Sequence, residues 1–134
     1  MEEKEKISKI LKAAKRIAVV GLSPKPHRTS HYVSEYLQKK GYKIIPVYPR
    51  EEKILGEKVY RSVSEIEGGA DTILVFRKSE EVLRVVEDAV KAKPSAVWMQ
   101  EGVINEEAAK LAEKKGVLVV MDRCMYKEHV KSGL

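Results

Sequence analysis

The sequence is poor in cysteine, in side-chain amides and in long apolar runs. Cys124 is the only cysteine among 134 residues, which excludes an internal disulfide and fits a reducing compartment. No stretch approaches the roughly 18 apolar residues that a membrane span needs. The charged N-terminal segment "MEEKEKISKILKAAKR" has no apolar core of the kind found in a secretory signal. We therefore expect a soluble, cytoplasmic protein that does not associate with membranes.

The scarcity of amides also bears on the source of the protein. Gln38, Gln100 and Asn105 are its only Gln and Asn residues, whereas charged residues make up 34% of the chain. Many charges combined with few thermolabile amides are typical of hyperthermophilic proteins. The composition thus predicts a thermophilic protein.

Positive charge is in excess, with a net charge of +6 and a pI near 9.3, and such a balance is found in nucleic-acid-binding proteins. Here, however, lysines alternate with glutamates in segments such as "EEKEK" and "AEKKG", as they do on solvated helix faces. Aromatic residues account for only 6% of the chain, and none accompanies the lysines as a stacking platform. We expect no nucleic acid partner.

Apolar strands and amphipathic helices alternate along the whole chain. With 43% hydrophobic residues, a chain of this length can bury one core, so we predict a single domain over residues 1–134. The alternation favours a parallel sheet covered on both faces, that is, a doubly wound, Rossmann-like α/β sheet of about five strands. The predicted strands are 16–22, 42–49, 71–76, 96–100 and 117–122, and the predicted helices are 3–14, 29–40, 80–92, 106–115 and 125–130.

Two local signals refine this prediction. Pro46 lies inside the second strand and has no N–H to donate to a neighbouring strand. Either that strand lies near an edge of the sheet or Pro46 lies at the very end of the strand. Thr29 or Ser30 is a suitable N-cap for the second helix, and Gly41 is a suitable stop.

Ligands of doubly wound sheets bind beyond the carboxyl ends of the strands, where the strand order changes direction. The residues that follow the five predicted strands are therefore the site candidates. They include many cations, which should converge on one rim and attract an anion. These cations are Lys25, Arg28, Arg50, Arg77, Lys78 and Arg123.

The loop after the first strand departs from the dinucleotide-binding fingerprint. That fingerprint has three glycines and an acidic residue about 20 positions on, whereas this loop has only Gly21 and the second strand ends in "VYPRE". NAD is disfavoured. A loop of Ser, Lys, His and Arg that leads into a helix start still suits a phosphate group. The alternative is a proline-stiffened surface loop with solvated cations.

A resemblance to a known family rests on short motifs between residues 12 and 131. They are "VVGLSPKPHRTSHYVSEYLQKKGYKIIPVYP", "ILGEKVYRSVSEI", "VFRKSE" and "VWMQEGVINEEAAKLAEKKGVLVVMDRCMYKEH". Together they resemble the small, Rossmann-like CoA-binding family. Its domain is similar to the CoA-binding domains of the succinyl-CoA synthetase α subunit and of ADP-forming acyl-CoA synthetases.

The resemblance implies coenzyme A as the ligand. It places the diphosphate at the "GLSP" loop and the residues after it, the adenosine part beside 47–50 and the nucleotide against 75–77. It also places the pantetheine arm near 98–102, and it matches 122–124 to the end of the last strand. Tyr48 departs from the Asn that is more frequent in the family. The predicted ligand-binding residues are Gly21, Leu22, Ser23, Pro24, Lys25, Arg28, Thr29, Ser30, Val47, Tyr48, Pro49, Arg50, Phe76, Arg77, Gln100, Glu101, Gly102 and Arg123.

Other chemistry has weaker signals. His27 and His31 are four residues apart, but no third ligand has suitable spacing, so we expect no metal site. Cys124 beside Arg123 is either a reactive thiol near the CoA thiol that takes part in thiol–disulfide exchange or a small half-buried residue at a strand end. No catalytic triad, Walker loop or paired carboxylates are present.

Three functions remain open at this point. The first is a CoA or acyl-CoA binding protein without catalytic machinery of its own. The second is the CoA-binding subunit of a split acyl-CoA synthetase or transferase, which requires a partner subunit. The third is a nicotinamide-dependent oxidoreductase or redox sensor. A homo-oligomer is compatible with each of them.

Overall fold

The alternating strands and helices form a five-stranded parallel sheet in a computed structural model that describes residues 1–134. The sheet has the order β2-β1-β5-β6-β7, and β3 and β4 form a separate two-stranded hairpin. The strands are β1 Arg16–Val20, β2 Lys43–Val47, β3 Lys53–Ile54, β4 Glu57–Lys58, β5 Thr72–Val75, β6 Ala96–Met99 and β7 Leu118–Val120. The helices are α1 Glu3–Ala13, α2 Thr29–Lys39, α3 Val82–Ala89, α4 Glu106–Lys114 and α5 Met125–Ser132.

The direction of winding changes next to β1. This strand pairs with β2 on one side and with β5 on the other, in registers that set Val20 opposite both Val47 and Val75. The chain thus extends the sheet first to one side and then, through β5, β6 and β7, to the other. The predicted doubly wound sheet is confirmed, and its switch point lies between β1 and β5.

Helices cover both faces of the sheet, as the strand sequences predict. One face packs on α1, α2 and α5 through residues such as Leu11, Leu37 and Met125. The other face packs on α3 and α4 through residues such as Val86 and Ala112. Nearly every strand residue is buried because parallel strands are covered on both sides. No helix is both long and apolar enough to cross a bilayer.

Pro46 lies in an edge strand, which is one of the two predicted arrangements. β2 pairs in the main sheet only with β1, so the missing N–H of Pro46 leaves no ladder bond unmade. The outer side of β2 is partly covered, because Tyr60 donates its N–H to Pro46 O (3.0 Å) and accepts from Tyr48 N–H (3.0 Å).

The predicted cap of α2 is wrong. The helix begins at Thr29 after Arg28, and neither Thr29 nor Ser30 accepts a capping hydrogen bond from the helix. Ser30 Oγ instead accepts the N–H of Ser23 at 2.9 Å. The Ser30 hydroxyl therefore fixes the preceding loop against α2 and does not cap the helix.

Candidate functional site

A cavity of about 1090 Å³ lies at the carboxyl ends of the five strands of the main sheet. It is open to solvent and spans the switch point between β1 and β5, where ligands of this architecture bind. Its wall contains cations from three loops, two carboxylates and three tyrosines. The lining residues are Gly21, Ser23, Lys25, Arg28, Thr29, Ser30, Tyr32, Tyr48, Pro49, Arg50, Phe76, Arg77, Lys78, Glu81, Gln100, Glu101, Val103, Cys124, Tyr126 and Lys127.

Gly21 allows the first loop to lie directly on the segment that follows β5. Its φ is +90°, a conformation that favours glycine. A Cβ at this position would be only 2.1 Å from Phe76 O and 3.1 Å from Cδ of Arg77. Glycine is therefore needed both for the backbone conformation and for the contact that brings Arg77 beside the first loop.

Ser23 holds the first loop in place through two contacts with the start of α2 and one contact within the loop. Ser23 donates its N–H to Ser30 Oγ (2.9 Å), its own Oγ accepts from Lys25 N–H (3.1 Å), and its carbonyl oxygen is 2.8 Å from Nδ1 of His31. The backbone N–H groups of Thr29 and Ser30 donate to no acceptor within the protein. They are the free amides of a helix N-terminus, which favour an anion through their hydrogens and the helix dipole.

The cations around the cavity differ in how they are held. Lys25, Arg28 and Arg50 are exposed and form no ion pair within the protein. Arg77, by contrast, binds Glu81 through two hydrogen bonds, from Nε to Oε1 (3.2 Å) and from Nη2 to Oε2 (3.3 Å). The Arg77 guanidinium holds the pKa of the Glu81 carboxyl below its ordinary value. Lys78 also lines the cavity without an ion pair, so an anion meets four unpaired cations and two paired ones, Arg77 and Lys127.

The far side of the cavity, at the ends of β6 and β7, contains a buried amide side chain and an exposed ion pair. Gln100 is only 3% exposed. Its Oε1 accepts the Met125 N–H at 3.3 Å, while its Nε2 donates to no acceptor in the protein. Glu101 pairs with Lys127 at 3.0 Å, and this contact raises the pKa of Lys127.

Tyr126 connects the cavity wall to a half-buried aromatic cluster around the buried His129. Its ring stacks on Tyr36 with a centroid distance of 4.0 Å, and the Tyr36 hydroxyl is 2.8 Å from Nδ1 of His129. The edge of Tyr42 also contacts the His129 ring. Burial lowers the pKa of His129 and raises the pKa values of Tyr36 and Tyr42.

A smaller cavity of about 470 Å³ adjoins the main one. The two share Tyr48, Pro49, Arg77 and Glu81, so the Arg77–Glu81 pair lies between them. The smaller cavity also contains Arg61, whose Nη1 donates to the carbonyl oxygens of residues 48, 50 and 51. These bonds fix the backbone of the segment that follows β2.

The structure brings most of the predicted ligand-binding residues together around the main cavity. Thirteen of the eighteen line it, and whether they bind a ligand stays a prediction. The thirteen are Gly21, Ser23, Lys25, Arg28, Thr29, Ser30, Tyr48, Pro49, Arg50, Phe76, Arg77, Gln100 and Glu101.

Five predicted residues lie outside the wall of the main cavity. Leu22 is fully buried in the core, Pro24 is half-buried in the first loop, and Val47 borders the smaller cavity. The Gly102 N–H donates to Asp122 Oδ1 at 2.7 Å. Arg123 is exposed, and its backbone carbonyl accepts the indole N–H of Trp98 at 2.8 Å.

Seven lining residues are absent from the predicted set. Two of them, Lys78 and Cys124, lie a few residues after the ends of β5 and β7. The sequence predicts Lys78 as a cation of the rim but not as a ligand-binding residue, and the same rule could have included both. The others come from helices and turns whose packing is not visible in the sequence. The seven are Tyr32, Lys78, Glu81, Val103, Cys124, Tyr126 and Lys127.

His31 has a structural contact rather than a metal-ligand environment. It is buried against the first loop, whereas His27 is exposed in that loop. The protein contains no group of three or more His, Cys, Asp or Glu side chains that is arranged to hold a metal ion.

The chain is similar to several known proteins along most of its length. It is 45% identical to the Bacillus subtilis protein YneT, described as uncharacterized, over 94% of this chain and 93% of that one. It is 32% identical to the α subunit of ADP-forming acetate–CoA ligase II from Pyrococcus furiosus, over 81% of this chain but only 26% of the ligase subunit. A solved hypothetical protein from Pyrococcus horikoshii superposes with a TM-score of 0.94 at 38% identity, over 99% of this chain and 94% of that one.

A family model described as "CoA binding domain" matches residues 15–130. This range includes the whole main sheet and every residue that lines the cavity. The match and the relationship to the ligase subunit agree with the resemblance noted in the sequence. The chain belongs to the CoA-binding domain family.

Proposed function

We propose that this protein binds coenzyme A or an acyl-CoA in the main cavity. The observation that carries the proposal is the combination of two free amides at the start of α2 with the unpaired cations Lys25, Arg28 and Arg50. CoA carries a diphosphate and a 3′-phosphate, and the phosphomonoester is almost doubly ionised at neutral pH. The diphosphate would lie on the first loop and on the amides of Thr29 and Ser30, as phosphates do at helix N-termini.

The surroundings of β2 favour CoA over a nicotinamide dinucleotide. A carboxylate at the end of this strand usually binds the ribose hydroxyls of NAD. Here Tyr48, Pro49 and Arg50 line the cavity after β2, while Glu51 and Glu52 are exposed outside it. The two carboxylates in the wall, Glu81 and Glu101, are paired with cations. The cavity wall therefore suits a phosphate-rich ligand better than it suits a pair of ribose hydroxyls.

Calorimetric titration with CoA, dephospho-CoA and NAD tests this proposal. We expect CoA to bind most tightly. Arg28→Ala and Arg50→Ala should each weaken CoA binding by about 1.5–3 kcal/mol, or roughly ten- to a hundredfold, if the arginine makes a charge-assisted contact with a phosphate. A variant that has lost the contact with the 3′-phosphate should bind CoA and dephospho-CoA almost equally. Loss of a diphosphate contact should weaken both.

The matched control is Lys115→Ala, which removes an exposed cation after α4, at the opposite edge of the sheet. It should leave CoA affinity unchanged. If NAD binds as tightly as CoA, or if Arg28→Ala, Arg50→Ala and Arg77→Ala all stay within twofold of the parent protein, the proposed site is wrong.

A second candidate function is a CoA-binding subunit that works with a partner chain. It is supported by the 32% identity to a ligase α subunit of which the chain spans about a quarter. Affinity purification from the native source distinguishes the two functions. A stoichiometric larger subunit would favour the second, and a free protein that releases CoA or acyl-CoA on denaturation would favour the first.

A further inference from the structure

We propose that Arg61 is a positioning residue for the ligand in the main cavity. Its guanidinium holds the backbone after β2 in the conformation that presents Arg50 to an anion. The inference rests on the proposed function, because Arg50 affects affinity only if an anionic ligand binds in that cavity.

Three backbone carbonyls of this segment depend on Arg61 alone. Its Nη1 donates to the carbonyl oxygens of Tyr48 (3.1 Å), Arg50 (3.0 Å) and Glu51 (2.9 Å). No other group of the protein donates a hydrogen bond to these three oxygens. One substitution at Arg61 therefore removes every hydrogen bond that they form within the protein.

The segment has a conformation that needs such support. Glu51 has a φ of 69°, in the left-handed region that a residue with a Cβ rarely adopts. The N–H groups of Arg50 and Glu51 donate to no acceptor within the protein. The other backbone hydrogen bonds of residues 48–52 lie at its two ends, from Val59 N–H (2.9 Å) and to Tyr60 O (3.0 Å). The middle of the segment is thus fixed by Arg61.

The position of Arg50 depends on this backbone. The Arg50 side chain is exposed and lines the main cavity, and it forms no ion pair that would hold it in place. A binding group that is already in place binds more tightly than one that the ligand must first order. Loss of the Arg61 hydrogen bonds should therefore reduce the contribution of Arg50.

Arg61 acts from the opposite side of the segment. It lines the smaller cavity and not the main one, whereas Arg50 lines only the main cavity. An effect of Arg61 on a ligand in the main cavity must therefore pass through the segment between them. A direct contact of Arg61 with the ligand would instead be independent of Arg50.

A double-mutant cycle measured by calorimetric titration with CoA tests the inference. Arg61→Ala should weaken CoA binding by roughly fivefold to twentyfold. In the Arg50→Ala background the same substitution should cost less than about twofold, because no guanidinium is left to position. Arg61→Met keeps the aliphatic part of the side chain, loses the donors and should behave like Arg61→Ala.

The matched control is Arg16→Ala. Arg16 also donates to backbone carbonyl oxygens, those of Glu67 and Gly69 (2.9 Å each), but it lies at the amino end of β1, outside both cavities. The substitution should lower the free energy of unfolding in urea and leave CoA affinity unchanged. It separates a general loss of stability from a loss of positioning.

Unchanged CoA affinity in Arg61→Ala would overturn the inference. A loss above about twofold in the Arg50→Ala background would also overturn it, because coupled residues are not additive whereas independent ones are. Cooperative urea unfolding establishes that each variant is folded, and Arg61→Met takes the place of Arg61→Ala in the cycle if the latter is not. If the wild-type protein does not bind CoA, the proposed function fails, and the inference fails with it.

Discussion

At the scale of single residues, the pairing of Arg77 with Glu81 limits the ability of Arg77 to bind a ligand phosphate. Glu81 occupies the guanidinium of Arg77 with both carboxylate oxygens, and its lowered pKa keeps it ionised near neutral pH. Glu81 and a ligand phosphate would therefore compete for the same donors. We expect Glu81→Gln to bind CoA more tightly by roughly twofold to fivefold, since the pair that it removes is partly exposed to solvent.

Isothermal titration of the variant and the parent protein with CoA measures this effect. Glu87→Gln is the control, because it removes an exposed carboxylate of α3 outside both cavities. If Glu81→Gln weakens binding, Glu81 positions Arg77 for the ligand instead of competing with it.

The sequence predicts which residues line the cavity where these residues follow the end of a parallel strand. The carboxyl ends of parallel strands meet at one edge, and this rule alone places Gly21, Arg50 and Arg77 at the same cavity. It does not identify the partner of Arg77, because the pairing depends on a turn at Ser79–Glu81, whereas the sequence predicts a helix that starts at Glu80. Arg123 shows the limit of the rule: it follows a strand end, yet its side chain is exposed outside the cavity wall.

At the scale of secondary structure elements, the packing of α2 on α5 depends on a buried histidine. His129 of α5 is 2.8 Å from the Tyr36 hydroxyl of α2, and its pKa is lowered from an ordinary value of 6.5, mainly by burial and also by Lys40. The unfolded chain therefore takes up this proton at a higher pH than the folded protein does. The contribution of His129 to stability is complete above pH 6.5 and declines as the pH falls below it.

We therefore expect the free energy of unfolding to fall on going from pH 7.5 to pH 5.5, and to fall less in His129→Gln. Urea denaturation at a series of pH values measures both. His27→Gln is the matched control, since His27 is exposed in the first loop. A pH dependence that is identical in the wild type and His129→Gln would contradict the prediction.

The elements are more predictable than their contacts. All five long strands follow from apolar runs, and the edge position of β2 is favoured by Pro46 alone. The contact between α2 and α5 joins residues 93 positions apart, and no periodicity within either helix indicates it. The predicted cap of α2 is wrong because Ser30 binds the loop rather than the helix, and both roles suit a hydroxyl equally well.

At the scale of the whole molecule, the abundance of charge and the scarcity of amides lead us to propose a thermostable protein. We expect a melting temperature above the range of about 45–65 °C that is usual for mesophilic domains. Differential scanning calorimetry measures it. Isolated surface ion pairs such as Lys6–Glu3 and Lys127–Glu101 contribute little individually, so the stability should change only slightly with added salt. A melting temperature within the mesophilic range would contradict the proposal.

The fold class is predictable because strand–helix alternation and right-handed crossovers permit few arrangements. The strand order is a different matter. The apolar runs do not distinguish pairing of β5 with β1 from pairing of β5 with β2. Only Pro46, which favours an edge position for β2, points to β1, and this pairing creates the switch point and with it the cavity. In the folded protein β1 has a neighbouring strand on each side. These neighbours are present only once the sheet has assembled, so the sequence of β1 does not name them.

The close approach at Gly21 also constrains the evolution of the chain. A Cβ at this position would overlap the carbonyl oxygen of Phe76, and that carbonyl belongs to the segment from which Arg77 and Lys78 project. The cations of the rim can be replaced one at a time during evolution, because each is either exposed to solvent or paired with a single residue. Gly21 cannot be replaced without moving two strand ends apart. A related protein with a different ligand can therefore carry different charges around the cavity, but it should keep the close contact between Gly21 and the backbone of Phe76.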